Sequence, residues 1–115
     1  MAVDIFPFLS KLEQIVYVWL VKNNVLFNTQ QRFGGYMDVG SSVVDFILPE
    51  NNIALRVMGS YWHHGLKVEG RDALGREMLT AAGYIVVDVA EEGLRPDRLE
   101  HTMRAALRGE EVSYG

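Results

Sequence analysis

The sequence predicts an α/β domain in which helices flank a mixed four-stranded sheet, in the order helix, strand, strand, strand, helix, strand, helix. Residues 7–22 carry apolar side chains at helical spacing, and 43–48 and 53–58 are strand-like runs joined by the turn sequence PENN. The run YIVVDV is almost continuously apolar, which is typical of a strand buried on both faces. We expect residues 1–115 to form one domain, because a chain of this length builds one core.

The N-terminal half is predicted to contain one helix and three strands. Pro7 suits the first turn of the helix and Asn23 suits its end. A first strand is predicted over 25–31, and the glycines of RFGGYMDVGSS indicate a loop after it. The three strands can then form an antiparallel meander.

The C-terminal half is predicted to continue with a loop over 59–70 and a helix over 71–82 that Gly83 ends. A strand over 84–89 follows, and a last helix over 95–107. Because this strand is reached through a helix, we expect it to join the sheet in parallel.

Composition excludes several classes of function. The absence of cysteine excludes disulfides, thiolate zinc sites and cysteine nucleophiles. No apolar run approaches the roughly 18 residues that a membrane span needs, and Asp4 and Lys11 are unlike a signal peptide. We therefore expect a protein that is not in a membrane and that is located in the cytoplasm or in a virion.

The net charge of −4 is unlike that of a simple nucleic-acid coat protein. Basic residues are nevertheless concentrated in one stretch, at Arg56, Lys67, Arg71 and Arg76. This stretch predicts a local basic patch on an acidic protein.

Two charged residues interrupt apolar strands. Asp45 lies within SSVVDFILP and Arg56 within IALRVM, and a buried charge needs a partner or a metal. Arg56 could pair with Asp45 across the hairpin, which would make both residues structural. Glu13 borders the apolar face of the first helix, an unusual position for a surface carboxylate.

The segment VDFILPENNIALRVMGSYWHH resembles the PD-(D/E)XK nuclease superfamily, in particular the very-short-patch-repair endonucleases and their bacterial relatives. The later RDALGREMLTAAGYIVVDV is similar to the helix and strand that follow in that family. The resemblance implies a restriction-endonuclease-like three-layer fold. It also implies that Asp45 binds Mg²⁺, that Glu13 lies near the metal, and that His63 lies near the scissile phosphate.

The sequence departs from the superfamily at the centre of the motif. The second acid and the lysine of the superfamily align with Arg56 and Met58. The very-short-patch-repair endonucleases also lack this acid and lysine, but they do not replace the acid with a cation. A guanidinium repels Mg²⁺, and methionine cannot orient the attacking water. The first hypothesis is therefore a catalytically degenerate nuclease fold, with Arg56 in the place of the metal, that serves as a structural or nucleic-acid-associated component of a phage or mobile-element assembly.

The second hypothesis is an active Mg²⁺-dependent DNA endonuclease that uses Asp45, Glu13 and His63. In both cases nucleic acid is a candidate partner, and protein partners are expected in a larger assembly. The candidate binding residues are Arg56, Trp62, His64, Lys67, Arg71 and Arg76.

Overall fold

The computed structural model describes residues 6–33, 42–58 and 66–114, and for 31–33, 42–44 and 66–72 it describes the backbone alone. The helices are α1 (Lys11–Lys22), α2 (Leu66–Ala81) and α3 (Leu99–Leu107), and the strands are β1 (Asn28–Phe33), β2 (Ser42–Leu48), β3 (Ile53–Met58) and β4 (Ile85–Ala90). Short 3-10 helices cover Phe6–Phe8 and Glu91–Leu94. The predicted α/β class and the order of the elements are confirmed.

The four strands form one mixed sheet in the order β1-β2-β3-β4. Strands β1 and β2 and strands β2 and β3 pair antiparallel, and β3 and β4 pair in parallel, as predicted. The turn between β2 and β3 places Asn52 at φ 57°, a left-handed conformation that asparagine tolerates.

The large core lies on the face of the sheet that α1 and α3 cover. Val16 and Leu20 of α1 and Met103 of α3 are fully buried there. The sheet contributes the side chains of Phe46, Leu48, Leu55, Val57, Val87 and Val89. Burial of this apolar surface is the main stabilising contribution to the fold.

A smaller core lies on the opposite face, which α2 covers. Leu79 of α2 packs there with Ile47, Ala54 and Val86 of the sheet. The helices therefore lie on both faces of the sheet. None of the helices that the structure describes is long and apolar enough to cross a membrane.

Several element boundaries differ from the prediction. Helix α1 begins at Lys11 rather than at residue 7, because Ser10 and Glu13 form a capping box at its N-terminus. Strand β1 is Asn28–Phe33 instead of 25–31, and β4 is Ile85–Ala90 instead of 84–89.

The other differences concern the two later helices. Helix α2 begins at Leu66, within the predicted loop 59–70. Helix α3 begins at Leu99, because Arg95 to Arg98 form a turn in which the carbonyl oxygen of Arg95 accepts from the backbone N–H of Arg98 at 2.9 Å.

Candidate functional site

A row of polar residues crosses the sheet from one edge to the other. Gln30 pairs with Asp45, Asp45 with Arg56, and Arg56 with Asp88 in the register of the strands. Residues that pair directly point to the same face of a sheet, so these four side chains share one face.

This face is the one that α2 covers. Ile47 lies two residues after Asp45 on β2 and therefore points the same way, and it packs against Leu79 of α2. Asp45 is 0% exposed and Arg56 is 1% exposed. The side chains of Asp45 and Arg56 are therefore buried on the face of the sheet that α2 covers.

Arg56 forms a bidentate ion pair with Asp88. Its Nε donates to Oδ1 of Asp88 at 2.6 Å and its Nη2 donates to Oδ2 at 2.8 Å. A bidentate arginine–carboxylate pair combines charge with fixed geometry and is among the stronger polar contacts in proteins. The guanidinium of Arg56 is therefore held in the plane of the Asp88 carboxylate.

The bidentate partner is thus not the residue that the sequence indicated. Asp45 is the neighbour of Arg56 on β2, and Asp88 is its neighbour on the other side, on β4. Strand β3, which carries Arg56, lies between the two strands that carry these carboxylates. The sequence indicated Asp45 as a possible partner of Arg56 and did not indicate the bidentate contact with Asp88.

Arg76 of α2 extends this ion pair into a network. Its Nη1 donates to Oδ2 of Asp88 and to Oε1 of Glu111, both at 2.8 Å. The hydrogen bond to Glu111 raises the pKa of the Arg76 guanidinium above its already high ordinary value, and the charge of Asp88 adds to this effect. Arg76 therefore remains charged wherever the protein is folded.

Glu13 has a structural role at the start of α1. Its Oε1 accepts the backbone N–H of Ser10 at 2.9 Å, and its own backbone N–H donates to Oγ of Ser10 at 3.2 Å. Helix α1 packs on the face of Phe46, whereas Asp45 points to the other face. The structure therefore separates the two carboxylates that were expected to share a magnesium ion.

Asp45 and Glu13 are the two residues that the resemblance assigns to a magnesium site. Within 6–33, 42–58 and 66–114, no three histidine or acidic side chains lie close enough together to hold a metal ion. Mg²⁺ is bound by oxygen ligands, and here both carboxylate oxygens of Asp88 accept hydrogen bonds from the guanidinium of Arg56. The guanidinium of Arg56 compensates the charge of the Asp88 carboxylate.

Of the other predicted residues, Trp62, His63 and His64 lie outside the described part of the chain. Lys67 and Arg71 belong to α2, four residues apart and therefore on one face of the helix. Met58, which the resemblance aligns with the lysine of the family, is 9% exposed at the end of β3.

Sequence reasoning missed Asp88 and Glu111. The sequence contains a signal for Asp88, because this residue interrupts the apolar run YIVVDV just as Asp45 interrupts SSVVDFILP. Glu111 lies in the segment that follows α3, and nothing in its local sequence indicates its contacts.

Comparison with known proteins finds no matching protein-family model, curated protein or solved structure.

Proposed function

We propose that this chain is a domain of restriction-endonuclease-like fold that does not cleave nucleic acid, and that it serves as a structural or nucleic-acid-associated component of a phage or mobile-element assembly. The order of elements and the mixed sheet are compatible with that fold. The motif around Asp45 supplies the resemblance, and the geometry around Arg56 supports the loss of catalysis.

The ion pair between Arg56 and Asp88 is the observation that carries the proposal. In the family that the sequence resembles, an acid at the position of Arg56 would help Asp45 to bind Mg²⁺. Here this position holds a buried guanidinium with two short hydrogen bonds to Asp88. Moving it away would break an ion pair in which Arg56 is buried and Asp88 is partly exposed, which costs about 3 kcal/mol.

A cleavage assay tests the absence of catalysis. The protein is incubated with Mg²⁺ or Mn²⁺ and supercoiled plasmid or mismatched duplex DNA, beside an Asp45→Ala variant. We expect equal, background nicking for both proteins. Cleavage that requires Asp45 would contradict the proposal and would establish the alternative, an active metal-dependent endonuclease that uses Asp45, His63 and Glu13.

A binding assay tests the association with nucleic acid. Lys67 and Arg71 lie on one face of α2, whereas Arg76 is engaged with Asp88 and Glu111. We expect the double variant Lys67→Ala, Arg71→Ala to lower the affinity for duplex DNA and to reduce its salt dependence by about one phosphate contact per residue.

Lys22 provides the matched control for this assay. It is an exposed lysine at the end of α1, on the other side of the sheet. Lys22→Ala should leave DNA binding unchanged. If all these proteins bind DNA equally, or none binds, the nucleic-acid role of α2 is excluded and the structural role remains.

A further inference from the structure

A groove lies on the solvent side of α1, between this helix and the start of α3. Its apolar and aromatic lining is formed by the side chains of Phe6, Ile15, Val18, Trp19 and Leu99. The groove has a volume of about 600 Å³, within the range of roughly 300–1,000 Å³ that is usual for binding sites. We call it the α1 groove.

The solvent side of α1 is unusually apolar. Val18 is 38% exposed and Val21 is 52% exposed. Between Lys11 and Lys22 the helix carries one charged residue, Glu13, which is buried and engaged in the capping box. A helix on the surface of a globular protein normally places charged or polar residues on its outer face. An exposed apolar stripe rimmed by polar residues is typical of an interaction surface.

A lysine lies at each end of the α1 groove. Lys11 and Lys22 both line it and are exposed. They are eleven residues apart, which is about three helical turns and roughly 16 Å along the axis, so they share one side of α1 with Ile15 and Val18. Neither lysine forms an ion pair with another residue in the described part of the chain. The groove therefore has an apolar middle and a positive charge at both ends.

The carboxylate of Glu100, beside Leu99, does not cancel this charge. Its Oε1 accepts from Nε1 of Trp19 at 2.9 Å, and its Oε2 accepts from Nε of Arg104 at 2.7 Å. The guanidinium of Arg104 lies 5.1 Å from the centroid of the Trp19 ring. Because Arg104 compensates Glu100, the charges of the two lysines remain available to an acidic partner.

The form of the α1 groove favours a helix as its occupant. Most of its lining is the side of α1, whose backbone groups are paired within the helix. It therefore offers few hydrogen-bond partners to an extended chain, which would have to leave its own backbone groups unpaired. A helix pairs its backbone internally and binds a groove through its apolar face.

We propose that the α1 groove binds an amphipathic, acidic helix of a protein partner. The apolar face of this helix packs against Val18 and Trp19. Acidic residues near its two ends, about eleven residues apart, pair with Lys11 and Lys22, because two helices that lie side by side have the same rise per residue. The proposal rests on this groove alone and holds whether or not the domain cleaves nucleic acid.

A peptide-binding assay with the full chain tests the proposal. The probe is a fluorescein-labelled peptide of about 18 residues, long enough to form a helix, with a leucine stripe and two glutamates eleven residues apart. The control peptide has lysines in place of the two glutamates. Fluorescence anisotropy should show that the glutamate peptide binds at least about tenfold more tightly than the lysine peptide.

Charge reversal at the ends of the groove tests the ion pairs. We expect Lys11→Glu and Lys22→Glu each to weaken binding of the glutamate peptide about fivefold and to strengthen binding of the lysine peptide. Arg108→Glu is the matched control, since it makes the same change in net charge. Arg108 is exposed and lies at the C-terminal end of α3, whereas the groove contacts α3 at its first residue, Leu99.

A second substitution tests the apolar lining. Val18→Ser should weaken binding of the glutamate peptide about fivefold, because the apolar contact is lost. Its control is Leu26→Ser, which changes an exposed apolar residue outside the groove and should leave binding unchanged. Val18 and both lysines are exposed, so these variants should fold like the wild type.

Several results would overturn the proposal. If no peptide binds, the groove accepts no helix. If both peptides bind equally, or if Arg108→Glu weakens binding as much as Lys22→Glu, the attraction is not located at the groove. Sedimentation and vesicle binding test two other occupants. A dimer of the wild type that Val18→Ser dissociates would identify a second copy of the chain, and binding to phosphatidylglycerol vesicles without peptide binding would identify an anionic lipid surface.

Discussion

Arg56 and Asp88 face each other across the parallel strands β3 and β4, joined by hydrogen bonds of 2.6 and 2.8 Å. The side chain of Arg56 is 2% exposed and that of Asp88 is 21% exposed. The charge of Arg56 is therefore compensated by protein groups rather than by bulk water. The stability of this face of the sheet depends on both partners being present.

Removal of Asp88 alone should be strongly destabilising. We expect Asp88→Ala to lower the free energy of unfolding by about 3 kcal/mol, near the lower end of the range for broken buried pairs, because the carboxylate is partly exposed. Urea denaturation followed by circular dichroism measures the change. Asp97→Ala is the control, since Asp97 and Arg95 form an exposed pair at 3.7 Å that is worth less than about 1 kcal/mol. If Asp88→Ala and Asp97→Ala lose equal free energy of unfolding, the ion pair of Arg56 and Asp88 contributes no more than an exposed pair.

Replacing both members of the pair should cost less than the sum of the two single changes. Arg56→Met and Asp88→Leu each leave one charge without this partner, whereas the double variant removes both charges together. We expect a coupling energy of roughly 2 kcal/mol in the double-mutant cycle. Additive effects would mean that the two side chains contribute independently, and the bidentate contact would then have little energetic weight.

The capping box of α1 should account for the role of Glu13. Ser10→Ala removes the side-chain acceptor for the backbone N–H of Glu13 and should lower the free energy of unfolding by about 1 kcal/mol. Glu13→Gln keeps a side-chain oxygen that can accept the backbone N–H of Ser10, so it should lower the free energy of unfolding by less than Ser10→Ala does. Thermal unfolding with and without Mg²⁺ distinguishes this capping role of Glu13 from a role as a metal ligand. Magnesium that stabilises the wild type but not Glu13→Gln would restore Glu13 as a metal ligand.

Glu100 should make the contact between α1 and α3 sensitive to acid. Hydrogen bonds from Arg104 and then from Trp19 lower the pKa of the Glu100 carboxyl group below 4.5. A group whose pKa is lower in the folded state contributes stability above its unfolded pKa, and this contribution is lost as the pH falls through the folded pKa. Glu100→Gln should therefore flatten the pH dependence of stability below about pH 4.5.

The indole N–H signal of Trp19 provides a local measurement of the same event. Nε1 of Trp19 donates to Oε1 of Glu100 at 2.9 Å, so its NMR signal should shift when Glu100 is protonated. Trp19→Phe assigns this signal, because the chain has two tryptophans. A Trp19 signal that titrates identically in Glu100→Gln would exclude Glu100 as the cause.

The fold was predictable because its signals are local. Apolar residues at helical spacing indicated α1, and the PENN turn between two strand-like runs indicated the hairpin of β2 and β3. Boundaries were less predictable. The helical periodicity of 7–22 does not show that a 3-10 helix over Phe6–Phe8 comes first and that Ser10 caps α1, because capping depends on backbone geometry as well as residue type.

The candidate site was predictable only in part. The sequence alone determined that Asp45 and Arg56 interrupt apolar strands and that each needs a compensating group, because burial of a lone charge is unfavourable regardless of the fold. It could not determine which groups compensate them. Tertiary structure placed Asp88 beside Arg56 by pairing β3 with β4 in parallel, across 32 residues of sequence.

Tertiary structure also decided the position of the last charged residue in the network. Glu111 reaches the backbone of Asp88 because the segment after α3 returns along the edge of the sheet. Tertiary structure likewise places Glu13 and Asp45 on opposite faces of the sheet, because α1 packs against the side chains that alternate with Asp45. The sequence by itself determined that Asp45 and Arg56 lie within apolar strands and need compensating groups. Their partners were decided by long-range strand pairing and helix packing, which local residue patterns do not encode.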